Sequence, residues 1–386
     1  MPCVSIMRQC DIKRTARVMQ AEGLFDVPEK SKEVRTWDVE LPLQEKDWHI
    51  GLIVGPSGCG KSVIASEMFK ESIVEDFEWS EGQSVIDAFP SDMGIKDITG
   101  LLSSVGFSSP PAWLKPFHVL SNGERFRVNI ARVLAEKRDL AVVDEFTSVV
   151  DRTVAQIGSA AVAKTIRKRG QRFIAVTCHY DVEEWLQPDW VYCPVGNSFE
   201  WRFLQQRPEI KLDILRVHYS AWNYFKDTHY LTGNIHRAAR CYMALWDNRP
   251  VAFAGFMAFP HVHVKNAYRG HRLVCLPDFQ GVGIGSTMSQ FSGMLCRGAG
   301  KRFYIRSSHP AEKRHVVSDK NWRVVNQPKA GTKTAMGRGI ENRRKHRVAT
   351  VNKRIYRPVL SAEYVGPGYP AEEAQGLWNA QPVRLG

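Results

Sequence analysis

The sequence predicts an α/β protein in which a nucleotide-binding α/β domain is followed by a second domain of mixed α+β structure. Two glycine-rich turns carry this prediction: "GPSGCGKS" at residues 55–62 and "QGVGIG" at residues 280–285, each placed between an apolar strand and a helix. A chain of 386 residues is long enough to bury two cores. We therefore expect two or three domains, two of which are each built around one glycine-rich loop.

Charge and cysteine usage narrow the class of protein. The formal net charge is +13 and the pI is near 9.4, which favours an acidic partner such as nucleic acid, a phosphorylated cofactor or an anionic surface. The cysteines are scattered without a CxxC pair, which argues against a zinc site or a disulfide framework. Because no apolar run reaches the roughly 18 to 20 residues that span a bilayer, and no apolar signal region opens the chain, we expect a cytoplasmic protein with no membrane partner.

The first loop has the full GxxxxGK[ST] pattern after the apolar strand "HIGLIV". Gly55, Gly58 and Gly60 permit backbone angles that side chains forbid, so consecutive N–H groups can point at phosphate oxygens near a helix N-terminus. Lys61 adds a cation for the terminal phosphates, and the hydroxyl of Ser62 is placed to bind Mg²⁺. The sequence therefore predicts a P-loop.

Two further patterns follow the P-loop along the chain. The apolar strand in "DLAVVDEF" ends in Asp144, which can hold Mg²⁺ through water, and Glu145, which can polarise an attacking water. Ahead of that strand, "LSNGE" at residues 120–124 opens a helix with a serine and a glycine, which is a second potential anion site.

Together these residues resemble the ABC-type ATPases, whose motifs occur in the same order over residues 12–195. The resemblance implies binding of ATP and Mg²⁺. It implies that Ser121 and Gly123 belong to the signature motif, which reaches the γ-phosphate of ATP held by a second subunit in a head-to-tail homodimer. It further implies that Asp151 is the D-loop aspartate and that His179 is the switch histidine.

The sequence departs from the transporter form of the family in three places, the first of which is Ser91, where the family has a glutamine after the preceding strand. The signature has Asn122 and Glu124 where transporters have glycine and glutamine. Only about 58 residues separate Ser62 from the signature, which is short for the helical arm that grips membrane segments. For the aromatic residue that stacks on adenine, we expect Phe25 rather than Trp37, which lies in a strand-like alternation typical of core packing.

The second loop follows the strand "RLVCLP" and resembles the pyrophosphate loop of the Gcn5-related (GNAT) acyltransferases, [QR]xxGx[GA]. Gln280, Gly283 and Gly285 match that pattern, and Gly281 lies within it. The resemblance implies acetyl-CoA or another acyl-CoA as the ligand, with its pyrophosphate held at a helix N-terminus.

The same resemblance implies that a backbone N–H of Cys275 or Leu276 holds the thioester oxygen. Many family members protonate the leaving thiolate with a tyrosine in the last helix, but Val317 occupies that position here. Four side chains are available as acid or base, and for each the alternative role is packing or helix capping: His309, Tyr304, His218 and Tyr219.

A basic stretch lies beyond these motifs. Residues 321–360 contain eleven Lys and Arg against the single acid Glu341, a balance that favours contact with nucleic-acid phosphates over a merely solvated tail. We expect an ABC-type ATP-binding domain at residues 1–200, a GNAT-like domain at 201–326 and a basic extension at 327–386.

These expectations converge on an ATP-hydrolysing enzyme that transfers an acyl group to an amine on RNA or DNA. Two alternatives remain open. In the first, the acyl acceptor is a protein or a small amine. In the second, the second domain has lost its chemistry and is a binding module on a nucleic-acid-sensing ATPase.

Overall fold

The structure is a computed structural model that describes residues 4–74, 77–136, 139–202, 207–229, 233–326 and 359–384. The chain divides into two compact units. The first comprises residues 1–81 and 121–208, and the second comprises residues 82–120 and 209–386.

The strands in chain order are β1 Val4–Asp11, β2 Lys32–Val39, β3 Ile50–Val54, β4 Leu140–Val143, β5 Arg172–Thr177, β6 Trp190–Cys193, β7 Ser198–Trp201, β8 Asp213–Val217, β9 Arg240–Trp246, β10 Arg249–Ala258, β11 Ala267–Cys275, β12 Arg302–Ser307, β13 Trp322–Asn326 and β14 Leu360–Tyr364. The α-helices are α1 Ala16–Phe25, α2 Lys61–Met68, α3 Ile95–Ser104, α4 Pro110–Trp113, α5 Asn122–Ala135, α6 Arg152–Arg169, α7 Glu183–Leu186, α8 Trp222–Phe225, α9 Ile284–Gly298, α10 Pro310–Ser318 and α11 Ala371–Asn379.

Within its described residues, the first unit contains a sheet of order β4-β5-β3-β6-β7, in which only β7 runs antiparallel to its neighbour. Parallel strands are buried on both faces, which explains why β3 is apolar and buried along its whole length. Because β3, β4 and β5 are parallel, the loops that follow them emerge at the same edge of the sheet. A separate antiparallel pair is formed by β1 and β2.

In the described part of the second unit, the sheet has the order β13-β14-β12-β11-β10-β9-β8. Strands β8 to β11 form an antiparallel meander, and the turn between β9 and β10 places Asp247 and Asn248 at positive φ, as the sequence predicts for a hairpin there. One face of the sheet packs on α9 and α11, and the other packs on α8.

The chain is divided differently from the expected boundaries at 200 and 326. Strand β14 inserts between β12 and β13, and the buried rings of Tyr364 and Trp378 join the core beside α9. Residues 359–384 thus belong to the second sheet and its core, because their apolar side chains are buried there. Most of the expected basic segment, residues 327–358, lies outside the described residues.

Segment 82–120, which carries α3 and α4, groups with the second unit although it lies between two parts of the first in sequence. Helix α3 packs against α10, and Arg314 of α10 donates a hydrogen bond to the carbonyl of Gly100 at 2.9 Å. We call residues 82–120 the inserted segment.

Candidate functional sites: two glycine-rich loops

The first loop has the backbone that its glycines predict. Gly58 and Gly60 have φ values of 77° and 102°, which favour glycine, and Gly60 is the N-cap of α2. A Cβ atom at Gly60 would also lie 2.5 Å from the Trp37 ring. Gly55 is equally restricted, because a Cβ there would lie 2.9 Å from the sulfur of Cys59.

Side chains of β2 hold the carbonyl groups of this loop. The indole Nε1–H of Trp37 donates to the Cys59 carbonyl at 2.9 Å, and Arg35 donates to the Gly58 carbonyl at 3.0 Å. Since the C=O and N–H of a trans peptide point in opposite directions, these contacts help turn the loop's N–H groups away from β2. Trp37 is therefore a packing residue of the loop, whereas Phe25 is 71% exposed at the end of α1.

Lys61 and Ser62 begin helix α2 directly after the loop. The Lys61 side chain is only 8% exposed, and its ammonium group donates to the Pro56 carbonyl at 2.9 Å, within the loop. The neighbouring Ser62 is exposed. The loop thus places a cation and a hydroxyl at the start of one helix, which suits the terminal phosphates and the metal of a nucleotide.

Asp144 and Glu145 follow β4 and lie at the same sheet edge. The Glu145 N–H donates to Asp144 Oδ1 at 2.8 Å, and the Ser148 hydroxyl donates to Glu145 Oε2 at 2.5 Å. Glu145 and Thr147 have φ values of 51° and 69°. Non-glycine residues adopt such angles at a cost in free energy and are concentrated at functional sites.

The predicted signature residues form the start of helix α5. Ser121 is the N-cap, and its hydroxyl accepts from the Glu124 N–H at 3.3 Å, while the Glu124 carboxylate accepts from the Ser121 N–H at 2.9 Å. Glu124 thus completes a capping box, a role that explains an acid at this position. Asn122 is already helical, so the left-handed backbone that asparagine tolerates is not required, and Gly123 follows it in the first turn.

Asp151 and His179 also lie at the ends of elements in the first unit. Asp151 is the N-cap of α6 and accepts from the Val154 N–H at 3.1 Å. His179 follows β5, and its N–H donates to the Thr177 hydroxyl at 3.2 Å. The parallel sheet therefore brings the loop after β3, the carboxylates after β4 and the histidine after β5 to one edge.

The second loop follows a strand that separates from its neighbour. Strands β11 and β12 pair only through Ala267–Arg269, so residues 270–275 run on without pairing to β12. At the end of β11, the Leu276 N–H donates to the Val251 carbonyl at 2.9 Å. That N–H therefore already has a partner, which does not favour Leu276 as the donor to a thioester oxygen.

Gly281 and Gly283 have φ values of 101° and 103°, and Gly283 is the N-cap of the 15-residue helix α9. A Cβ built at Gly283 meets no atom within 4 Å, so open space adjoins the helix start. At Gly285 a Cβ would lie 3.8 Å from the Cys275 Cβ, an ordinary contact. The loop therefore offers a helix N-terminus, with its partial positive charge, beside room for an anionic group.

One residue of the inserted segment, Ser108, is held by side chains next to this loop. The Ser108 N–H donates to Gln280 Oε1 at 2.9 Å, and the Ser108 carbonyl accepts from His309 Nε2 at 2.7 Å. The Gln280 amide also donates to the Cys275 carbonyl at 2.9 Å. Gln280 precedes α9 and His309 precedes α10, so Ser108 is bound at the beginnings of both helices.

The candidate acids and bases are engaged in structural contacts. His309 Nδ1 accepts from the Ala311 N–H at 3.3 Å, so both ring nitrogens of this N-cap have partners, and burial lowers its pKa. His218 likewise caps a helical turn, with Tyr219 against its ring. Tyr304 lies on β12. Burial raises its pKa, and the charge of Glu363 raises it further.

A carboxyl group that the sequence analysis did not single out lies on α10. Burial raises the pKa of Glu312 to about 7, although Ser289 on α9 donates a hydrogen bond to its Oε1 at 2.8 Å. A carboxyl that titrates near neutral pH is suited to proton transfer. Val317, on the same helix, is 58% exposed. No sequence motif marks Glu312, because its pKa depends on partial burial beside Ser289 of another helix.

Within the described part of the chain, none of the helices combines the length and apolar character that crossing a bilayer requires.

Two protein-family models match the chain. The model of the Rad17 P-loop domain matches residues 27–157, and that of the GNAT acetyltransferase family matches residues 180–311. A search of curated protein sequences found no match.

Solved structures similar to the chain include ATP-binding cassettes. The dimeric cassette MJ0796, in a post-hydrolysis state with ADP and Pi, is 15% identical, with a TM-score of 0.35 over 45% of this chain and 93% of that one. The cassette cbiO1 from Clostridium perfringens, part of the ABC transporter complex cbiONQ, is 21% identical, with a TM-score of 0.30 over 41% of this chain and 76% of that one.

The two family models coincide with the two loops. The first covers the P-loop and the carboxylates after β4, and the second covers the loop before α9. These domains imply a nucleotide with Mg²⁺ and an acyl-CoA as their respective ligands. The chain is thus an enzyme that joins a P-loop ATPase domain to a GNAT acetyltransferase domain.

Proposed function

We propose that the protein is an ABC-type ATPase whose nucleotide cycle drives acyl transfer, from acetyl-CoA or another acyl-CoA, to an amine on nucleic acid. The observation that carries this proposal is the contact of Ser108 with Gln280 and His309. The inserted segment is covalently continuous with the ATPase domain at Glu81 and Ser121, yet its hydrogen bonds reach the acyl-CoA loop. A change in that segment would therefore alter the loop.

The order of elements supports the ABC-type assignment. The inserted segment lies between the P-loop helix and the signature at Ser121, as the helical arm does in that family. In this assignment Lys61 binds the terminal phosphates, Ser62 and Asp144 hold Mg²⁺, and Glu145 polarises the attacking water. His179 contacts the γ-phosphate, and Phe25 is the exposed aromatic residue available to the base.

A head-to-tail homodimer follows from the signature resemblance, with Ser121, Gly123 and Asp151 facing the nucleotide of the other subunit. Glu145→Gln should stop hydrolysis and retain ATP, so the dimer should accumulate in ATP and be detected by light scattering. Lys61→Ala, which weakens ATP binding, is the matched control and should stay monomeric. A Glu145→Gln protein that remains monomeric in saturating ATP would contradict the sandwich arrangement.

In the acyltransferase domain, Gly281 and Gly283 would admit the pyrophosphate at the start of α9, while the N–H of Cys275 holds the thioester oxygen. Acyl-CoA supplies the activated acyl group. Glu312 is the candidate to accept the proton of the acceptor amine, because its carboxyl titrates near neutral pH.

The excess of ten positive charges in residues 321–360 supports nucleic acid as the acceptor. The decisive test is to incubate the protein with ATP, acetyl-CoA and RNA or DNA, and to analyse the nucleosides by mass spectrometry. We expect an acetylated base that disappears when ATP is omitted. If protein or free amines were acetylated and the nucleic acid were not, the acceptor would belong to another class of molecule.

A second candidate is that the GNAT domain only binds its ligands. The occupied ring nitrogens of His309 and the absence of the family's tyrosine at Val317 favour it. Calorimetry separates the two functions: binding of CoA without any acyl adduct supports a binding module, whereas no binding of CoA or acetyl-CoA removes the acyl-CoA assignment altogether.

A further inference from the structure

The half of the second sheet formed by β11, β12, β14 and β13 has one face turned away from the core. Phe303 and Ile305 of β12 are core residues beside α9, and so are Ala362 of β14 and Trp322 of β13. Successive side chains of a strand point to opposite faces. The residues that alternate with this core set on the other face include Arg269, Arg302, Tyr304, Arg306, Arg323 and Glu363.

We call this set, apart from Glu363, the arginine face. Glu363 is 4% exposed and pairs with two members: its Oε1 lies 2.7 Å from Arg302 Nε, and its Oε2 contacts Arg323. One carboxylate therefore serves two guanidinium groups. The six alternating residues together carry four positive charges and one negative charge.

The other two arginines repel each other. Burial lowers the pKa of Arg269, and the charge of Arg306 lowers it further. Arg306 is exposed. Two like charges on adjacent strands are stabilised when an anion binds between or beside them.

Aromatic rings lie next to these charges. The ring of Phe259, in the loop after β10, has its centroid 6.1 Å from that of Tyr304, and the Arg269 guanidinium lies 4.8 Å from the Phe259 centroid. His261 extends this row, 5.5 Å from Phe259, and is exposed. Arginines interleaved with aromatic rings on a sheet are the combination that binds phosphates and stacks unpaired bases.

The arginine face borders the place where β11 and β12 separate. Arg269 and Tyr304 are the last residues through which β11 and β12 pair with each other, and the part of β11 that continues beside β10 alone leads into the acyl-CoA loop. An acceptor held on this face would therefore lie beside the gap through which the acyl group is expected to pass.

We propose that the arginine face, together with Phe259, binds single-stranded nucleic acid, with phosphates on the arginines and bases on the aromatic rings. This inference rests on the proposed function and deepens it, because it names the form of the acceptor and a binding surface separate from residues 327–358. Single strands fit better than duplexes, since a duplex conceals the faces of its bases.

The test is fluorescence anisotropy with oligouridylate, oligothymidylate and a duplex of equal length over a series of salt concentrations. Arg269→Ala/Arg306→Ala should weaken single-strand binding about tenfold or more and should reduce the salt slope by about 1.4, since each phosphate contact on a single strand contributes about 0.7. Phe259→Leu should weaken binding at least about fivefold and leave the salt slope unchanged, because stacking releases no counterions.

The matched control is Arg249→Ala, which removes an exposed arginine from the start of β10 and should leave affinity unaltered. CoA affinity, measured on every variant, reports whether the domain remains folded. The proposal would be overturned if the folded arginine and Phe259 variants both bound single strands as tightly as the parent protein. It would also be overturned if the parent protein preferred the duplex and these variants did not alter that preference. A different result would contradict the proposed function and leave the binding surface intact: nucleic acid that binds but is never acylated in the presence of ATP and acetyl-CoA.

Discussion

The two glycine-rich loops use the same backbone device in different chemical surroundings. Each has two glycines at positive φ, and each leads directly into a helix N-terminus. The loop at 55–62 adds Lys61 and Ser62, with two carboxylates at the same sheet edge, whereas the loop at 280–285 contains no cation or hydroxyl. The first loop therefore has the kinds of group that cleaving a terminal phosphate requires, whereas the second has the helix start alone.

The loops also differ in what holds them from outside. Side chains of β2, in the same unit, bind the carbonyls of the first loop. In the second loop, Gln280 binds a backbone N–H of the inserted segment, which is contributed by the sequence between the P-loop and helix α5. The second loop is therefore the one whose shape depends on a distant part of the chain.

The largest effect expected is on the first loop. Lys61→Ala should reduce ATP hydrolysis about 1,000-fold, because it removes a preorganised cation from the developing charge on the phosphates. CoA binding measured without nucleotide should be unchanged, because Lys61 is not part of the second loop. Phosphate release and calorimetry measure the two properties. Ser66→Ala on the same helix is the control and should hydrolyse ATP normally. An equal loss of ATP hydrolysis in Ser66→Ala would indicate damage to α2.

The reciprocal change is Gly283→Glu, which should weaken CoA binding about 100-fold while ATP turnover persists. The substitution strains a residue at φ 103° and places a carboxylate beside the pyrophosphate. Gly285→Ala is the matched control, because its new Cβ would make only an ordinary contact with Cys275. Calorimetry with CoA that found normal affinity in Gly283→Glu would place the ligand elsewhere.

A smaller effect concerns Glu312. Its pKa is raised from 4.5 to about 7, so the folded state binds more protons than the unfolded state between these values, and stability falls as pH rises through them. Allowing for partial contact with water, the loss should be about 2 kcal/mol between pH 5 and pH 8. Glu312→Gln should remove this dependence in urea unfolding. A variant with the same pH dependence as the parent would show that another group is responsible.

The smallest effect expected is at the contact between the inserted segment and the second loop. His309→Ala removes one buried hydrogen bond to Ser108, worth about 1 kcal/mol, and should weaken CoA binding about fivefold. A nonhydrolysable ATP analogue should alter CoA affinity in the parent protein but not in the variant, as calorimetry would show. An equal response to the analogue in both proteins would mean that Ser108 does not transmit the nucleotide state.

Local features of both sites were predictable. The strand, the glycine turn and the helix start at each loop depend on neighbouring residues, and so does the β9–β10 turn at Asp247 and Asn248. The sequence did not predict that Glu124 would complete a capping box or that Trp37 would bind the P-loop carbonyl, although short motifs exist for the first.

The sequence by itself determined where a phosphate group can approach the backbone, because glycine at positive φ before a helix is a short-range requirement. Only the tertiary structure decided three other features: the insertion of β14 between β12 and β13, the contact of Ser108 with Gln280 and His309, and the burial of Glu312. Each joins residues far apart in the chain. Strand pairing and backbone hydrogen bonds of this kind leave no residue-specific pattern in the sequence, and a carboxyl pKa is set by the elements that fold around it.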